Sequence, residues 1–93
     1  MSEKKARNRN KIQVMAEMLE VCIDATAPTR IASVANVSRR AFRPFLDGLV
    51  NRGFLGKIDR AYSQRIVYQT TQKGEDVLEQ IYQLRDAFGE ELW

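Results

Sequence analysis

Ninety-three residues, 44% of them hydrophobic and 29% charged, are enough to close one core and not two, and no apolar run approaches the roughly 18 to 20 residues that a membrane span needs. With no histidine and a single cysteine, the chain offers no internal disulfide, no usual transition-metal site and none of the commonest catalytic base, so neither metal nor cofactor is expected. The net charge of +3 is unevenly spread: residues 1 to 73 hold 14 Lys/Arg against 6 Asp/Glu, whereas residues 74 to 93 hold 1 against 6, which gives a body suited to a polyanion and a tail that one would repel.

Residues 1 to 10 carry Lys4, Lys5, Arg7 and Arg9 with almost no apolar content and read as a flexible basic arm, of the kind that follows phosphates or enters a minor groove. Behind Met1-Ser2-Glu3-Lys4-Lys5 there is no apolar segment of the secretory kind, so an intracellular, cytoplasmic protein is expected. From Lys11, the residues Ile12, Met15, Ala16, Leu19, Cys22 and Ile23 recur at spacings of three and four, which predicts a first helix to about Asp24 and makes Cys22 an inert core thiol. Pro28-Thr29 looks like a helix start with Thr29 as cap, followed by a short second helix from Arg30 to Ala35. Asn36-Val37 makes a tight turn. Ser38 is placed to cap a third helix that runs to Arg52, where Gly53 ends it. Three helices with a three-residue turn between the last two form a helix-turn-helix unit.

Beyond Gly53 come two short β-prone stretches, Phe54 to Ile58 and Arg65 to Thr71, separated by Asp59-Arg60-Ala61-Tyr62-Ser63-Gln64; this is a hairpin, or wing. Helical periodicity returns with Val77, Ile81, Leu84 and Phe88, widened by Leu78, Tyr82 and Leu92, and predicts a fourth helix over about 72 to 92 with Thr71 as its cap. At about 1.5 Å per residue that helix is on the order of 30 Å long, more than so small a domain needs to close its core, so part of it should project. The expected fold is mostly α with a β-hairpin wing: residues 11 to 71 form a winged helix-turn-helix and residues 72 to 93 a dimerisation helix.

On a helical wheel the third helix divides in two. Ala41, Phe42, Phe45, Leu46 and Leu49 share one face, while Arg39, Arg40, Arg43, Asp47 and Asn51 lie opposite. The three arginines fall in the first turn and a half, the end that reaches base edges when such a helix lies in a major groove, and the guanidinium fork matches the O6/N7 pair of guanine as well as phosphate. Ser38, Arg39, Arg40 and Arg43 are therefore the candidate reading residues. Pro44 sits at the sixth helical position, so the helix should bend there, either displacing its first turn or beginning later than Ser38 implies. Lys57, Arg60, Ser63, Gln64 and Arg65 give the hairpin the composition of a loop lying on a phosphate backbone, which positions rather than specifies. On the fourth helix the stripe Val77, Ile81, Leu84, Phe88 and Leu92 is longer than one domain can cover, which predicts a homodimer seam.

The run Thr29-Arg30-Ile31, Ala35-Asn36-Val37, Phe45-Leu46, Leu49, Gly53-Phe54-Leu55, Tyr68, Thr71 and Lys73-Gly74-Glu75 resembles the small archaeal winged-helix proteins that carry a C-terminal coiled-coil helix. The resemblance covers residues 11 to about 90. It implies a winged-helix fold, homodimerisation by antiparallel pairing of the last helix, and binding of double-stranded DNA, in proteins described both as chromatin-associated and as predicted transcription regulators. By position it gives Ser38, Arg39, Arg40 and Arg43 to the recognition helix and Arg60, Ser63, Gln64 and Arg65 to the wing. The chain departs from the pattern at Pro44 and in the shortness of its last helix. A nucleoid-associated DNA-binding dimer is thus the leading expectation, with a winged-helix protein-interaction module as the alternative. An enzyme is not expected, because there is no phosphate-cradling glycine loop and no nucleophile beside a base.

Overall fold

A computed structural model describes residues 10 to 60 and 65 to 89. The elements, in chain order, are α1 (Lys11–Val21), α2 (Pro28–Ala35), α3 (Arg39–Asn51), β1 (Leu55–Arg60), β2 (Arg65–Thr70) and α4 (Gln72–Phe88). The order helix-helix-helix-strand-strand-helix is the expected one, and the two strands form one antiparallel ladder from Leu55↔Thr70 to Arg60↔Arg65. Among the described residues no helix is long and apolar enough to cross a membrane.

α1 starts at Lys11, as expected, and its cap is Asn10, the last residue of the predicted arm. The Asn10 side chain accepts the Gln13 amide at 2.8 Å, and Gln13 Oε1 accepts the Asn10 amide at 3.0 Å, a reciprocal pair that satisfies two otherwise orphaned donors. The helix ends at Val21, three residues short of Asp24, because its last carbonyls are taken by other parts of the chain. Thr70 donates its amide to the Cys22 carbonyl (2.8 Å) and its hydroxyl to that of Leu19 (2.7 Å). Thr26 then pairs with Tyr68 through two backbone bonds of 2.9 Å, adding a one-residue bridge to the outer edge of β2. Ile23, released from the helix, is exposed rather than in the core.

α1 is the central helix, packed by α2 and by α4. Its buried set therefore includes Val14 and Met18 as well as Ala16, Leu19 and Cys22, while Ile12 and Met15 are half-buried. The core joins these to Ile31 and Ala35 of α2, Phe42, Leu46 and Leu49 of α3, Leu55 and Tyr68 of the hairpin, and Leu78 and Ile81 of α4. Burial raises the Cys22 thiol to about 11, which agrees with an inert core residue.

Two helix starts contrast. α2 begins at Pro28, two residues before the predicted Arg30, and its N-cap is Ala27, which makes no side-chain cap bond; Thr29 lies inside the helix. Proline is suited to the first helical position because the amide it lacks would be unpaired there. α4 is capped as expected, Thr71 Oγ accepting the Gly74 amide at 3.1 Å. It stops at Phe88 rather than near 92, with Gly89 at φ +65°.

Candidate nucleic-acid interface

α3 is held at both ends by local chemistry. Ser38 Oγ accepts the Ala41 amide at 3.3 Å, and the Ser38 carbonyl accepts Ala41 and Phe42, so the first turn is formed from Arg39 onward. At the other end Gly53, at φ +81°, donates to the Val50 carbonyl (3.0 Å) and Phe54 donates to that of Leu49 (2.9 Å), the double bond that closes a helix on a left-handed residue. Pro44 lies within the helix and is exposed, so its ring displaces no core side chain. The regular helix begins at its cap and not after the proline, which removes the expectation of a late start.

Anchoring then follows from the period. Phe42, Leu46 and Leu49 are buried, and Arg39, Arg40, Arg43, Asp47 and Asn51 are all exposed, as the wheel requires. Arg43 lies 3.9 Å from Asp47, one turn on, with the two side chains 60% and 58% exposed. A pair that exposed is worth only about 0.3 to 0.5 kcal/mol and does not neutralise the surface. Arg39 and Arg40 have no ion pair among the described residues.

α2 meets α3 through the turn 36–38. Asn36 takes a left-handed backbone (φ 54°, ψ 50°), which an asparagine tolerates better than most residues, and Val37 donates back to the Ala32 carbonyl. The turn opens a trough of about 680 Å³ between the two helices, with Arg39 and Arg43 on one wall and Thr29, Ser33 and Asn36 on the other. Those three polar residues extend the candidate surface beyond what spacing within α3 gave. Their signal was the helix-turn-helix itself, whose first helix faces the same side as the second.

The hairpin is tied to the body by the Thr26–Tyr68 bridge and by Gln69 Nε2, which donates to the Ile23 carbonyl at 3.2 Å. Lys57 and Arg65 are exposed on it, and Arg60 and Arg65 are directly opposed at the last described rung. Ser63 and Gln64 lie outside the described residues, as does the side chain of Arg60. On α4, Ile81 is buried in the domain's own core and Val77 is half-buried against it, while Leu84 and Phe88 are 47% and 57% exposed. Leu92 lies outside the described residues. No group of three or more potential metal-ligating His, Cys, Asp or Glu side chains occurs among the described residues.

A helix-turn-helix followed by a two-stranded wing is also what the sequence matches as a whole: the family model for winged helix-turn-helix proteins fits residues 8–88. The chain belongs to the winged helix-turn-helix family. Solved winged-helix structures agree in fold. Sso10a-2, a DNA-binding protein from Sulfolobus solfataricus, superposes with a TM-score of 0.70 at 24% identity, over 86% of this chain and 85% of that one. Wild-type MarR from E. coli, in its apo form, gives 0.68 at 21% identity over 95% of this chain, which spans 64% of MarR. A variant of S. aureus MepR gives 0.71 at 15% identity, over 98% and 69% of the two chains. No curated protein sequence matches.

Proposed function

We propose that this winged helix-turn-helix protein binds double-stranded DNA as a homodimer, with α3 in the major groove and the wing on the flanking phosphates. The observation that carries the reading is the outward presentation of Arg39, Arg40 and Arg43 on the first turns of a helix anchored by Phe42, Leu46 and Leu49. Guanidinium groups in that position fork onto guanine or bind phosphate. Lys57 and Arg65, with Arg60, Ser63 and Gln64 between them in the sequence, would position the domain on the backbone, and the basic arm before Asn10 would add phosphate contacts. Support comes from the similar structures: Sso10a-2 is a DNA-binding protein, and a mutant of E. coli MarR has been crystallised complexed with operator DNA. The dimer seam on this reading is the outer part of α4, with Leu84 and Phe88 at its centre. The protein would act at the nucleoid, in the cytoplasm.

The deciding experiment is a titration of a short random duplex against salt. Affinity should fall by about 0.9 log units per log unit of salt for each phosphate neutralised, and replacing Arg39, Arg40 and Arg43 together by alanine should remove measurable binding while the thermal unfolding transition persists. A flat salt response, or normal affinity in the triple variant, would overturn the reading in favour of a protein-interaction role.

A further inference from the structure

Asp47 is out of place on a surface that only neutralises phosphate. It is the one acid in α3, it lies on the exposed side with Arg39, Arg40 and Arg43, the side proposed to meet the duplex, and it is 58% exposed. Nothing in the fold calls for it. It is in the third turn, too far along for the favourable interaction of an acid with a helix N-terminus, and aspartate is a poor helix former. Its ion pair with Arg43 is too exposed to stabilise the domain appreciably. Facing a polyanion, a carboxylate offsets part of the arginine charge and repels phosphate whatever the sequence.

We infer that Asp47 is a specificity residue, and that α3 reads bases through the pair Arg43–Asp47 rather than coating the backbone; the inference rests on the proposed DNA-binding role. Arg39, Arg43, Asp47 and Asn51 step by four residues, each step turning only about 40° and advancing about 6 Å, so they form one ridge along the exposed side of the helix. The carboxylate lies 3.9 Å from Arg43 on that ridge, too far for a hydrogen bond, and so leaves the guanidinium N–H donors free for a base. That guanidinium can fork onto O6 and N7 of a guanine, while the neighbouring carboxylate repels a phosphate that would compete for it. The carboxylate accepts only, and the acceptor-seeking groups on major-groove edges are the exocyclic amines: N4 of cytosine and N6 of adenine. The 6 Å between the two residues is under two base-pair rises of about 3.4 Å. The recognised element is thus a guanine followed, within two steps, by one fixed base pair whose amine, N4 of cytosine or N6 of adenine, lies at the carboxylate.

The test uses the full chain, its D47A, D47E and R43A variants, selection from a random duplex pool, and salt titrations on a random duplex. The unaltered protein should select a motif with a guanine and, at one fixed position within two steps of it, a single preferred base pair; whether that pair is G·C or A·T identifies the amine as N4 of cytosine or N6 of adenine. D47A should lose roughly tenfold preference at those positions, while its salt slope steepens by about 0.9 as Arg43 turns to a phosphate. D47E, which keeps the charge, should restore the slope, and R43A should lose the guanine preference. Melting temperatures should change by no more than about 4 °C, since both side chains are exposed and the gain in helix propensity at position 47 is under about 1 kcal/mol. If the unaltered chain binds duplex without a motif, or D47A keeps both preference and slope, the inference is overturned while DNA binding stands. If the unaltered chain binds no duplex at any salt, the proposed function itself fails.

Discussion

Gly74 sets how closely α4 approaches the hairpin. It is buried in the first turn of the helix, and a methyl group added to it would fall on the Phe54 carbonyl oxygen and 2.7 Å from Thr70 Cγ2. The Phe54 carbonyl cannot yield easily, because it accepts the Thr71 amide at 2.9 Å. Gly74→Ala should therefore lower stability by about 1 to 3 kcal/mol, the usual cost of overpacking, even though alanine is the better helix former. Gly48 is the contrasting case. Its added methyl would meet only the end of the flexible Arg52 side chain, at 3.1 Å, so Gly48→Ala should be neutral or stabilise by up to about 1 kcal/mol. Denaturant midpoints for the two variants check both signs; a Gly74→Ala midpoint at or above that of the unaltered chain would contradict the overlap.

At the scale of elements, α4 is fixed to α1 by more than its apolar contacts. The Tyr82 hydroxyl donates to Glu20 Oε2, and the Arg85 guanidinium lies 5.1 Å from the Tyr82 ring centroid. Burial first, then the hydrogen bond to Glu20 and its charge, raise the Tyr82 pKa from 10.0 to about 12, with Arg85 pulling the other way. The folded protein thus holds the phenolic proton more tightly than the unfolded chain. The contribution is complete below about pH 10 and is lost as pH rises through about 12. Tyr82→Phe should cost less than about 1 kcal/mol at neutral pH, since the contact is at the surface, and the gap from the unaltered protein should close across that alkaline window. Unfolding curves from neutral to strongly alkaline pH measure this. A gap constant through the window would show that Tyr82 contributes by packing alone.

For the whole molecule, the decisive feature is where cover runs out along α4. Leu78 and Ile81 face the domain's core, whereas Leu84 and Phe88, one and two turns further on, are about half exposed. With the acidic residues concentrated from Glu75 onward and the arginines on α3, the proposed function assigns the basic face to a polyanion and the exposed apolar end of the last helix to a second copy. Sedimentation at micromolar concentration should give twice the 10.7 kDa of one chain, and Leu84→Ser with Phe88→Ser should give the monomer with its thermal transition intact. A monomer mass for the unaltered chain would remove the dimer. So short a seam is marginal by itself, and any stable dimer also draws on the body of the domain.

Much of this architecture is written in local signals. Ser38, Thr71 and Gly53 act within four residues of themselves, and the division of α3 into an apolar and a basic face follows from its period alone, so helix order, wing and arginine surface were legible from the sequence. The Asn10–Gln13 capping box was equally local and was obscured only by the basic run before it. What lay beyond reach depends on pairing between distant segments. The Thr26–Tyr68 bridge is a single rung joining residues 42 positions apart, with no alternation to announce it, and the Thr70 bonds to Leu19 and Cys22 beside it end α1 and leave Ile23 exposed. Val14 and Met18 are buried because α1 is covered from two sides, and the apolar stripe of α4 divides between Ile81 and Leu84 because its neighbour α1 covers only the first part. Periodicity fixes which side chains share a face; only the assembled chain decides how far along that face water is excluded.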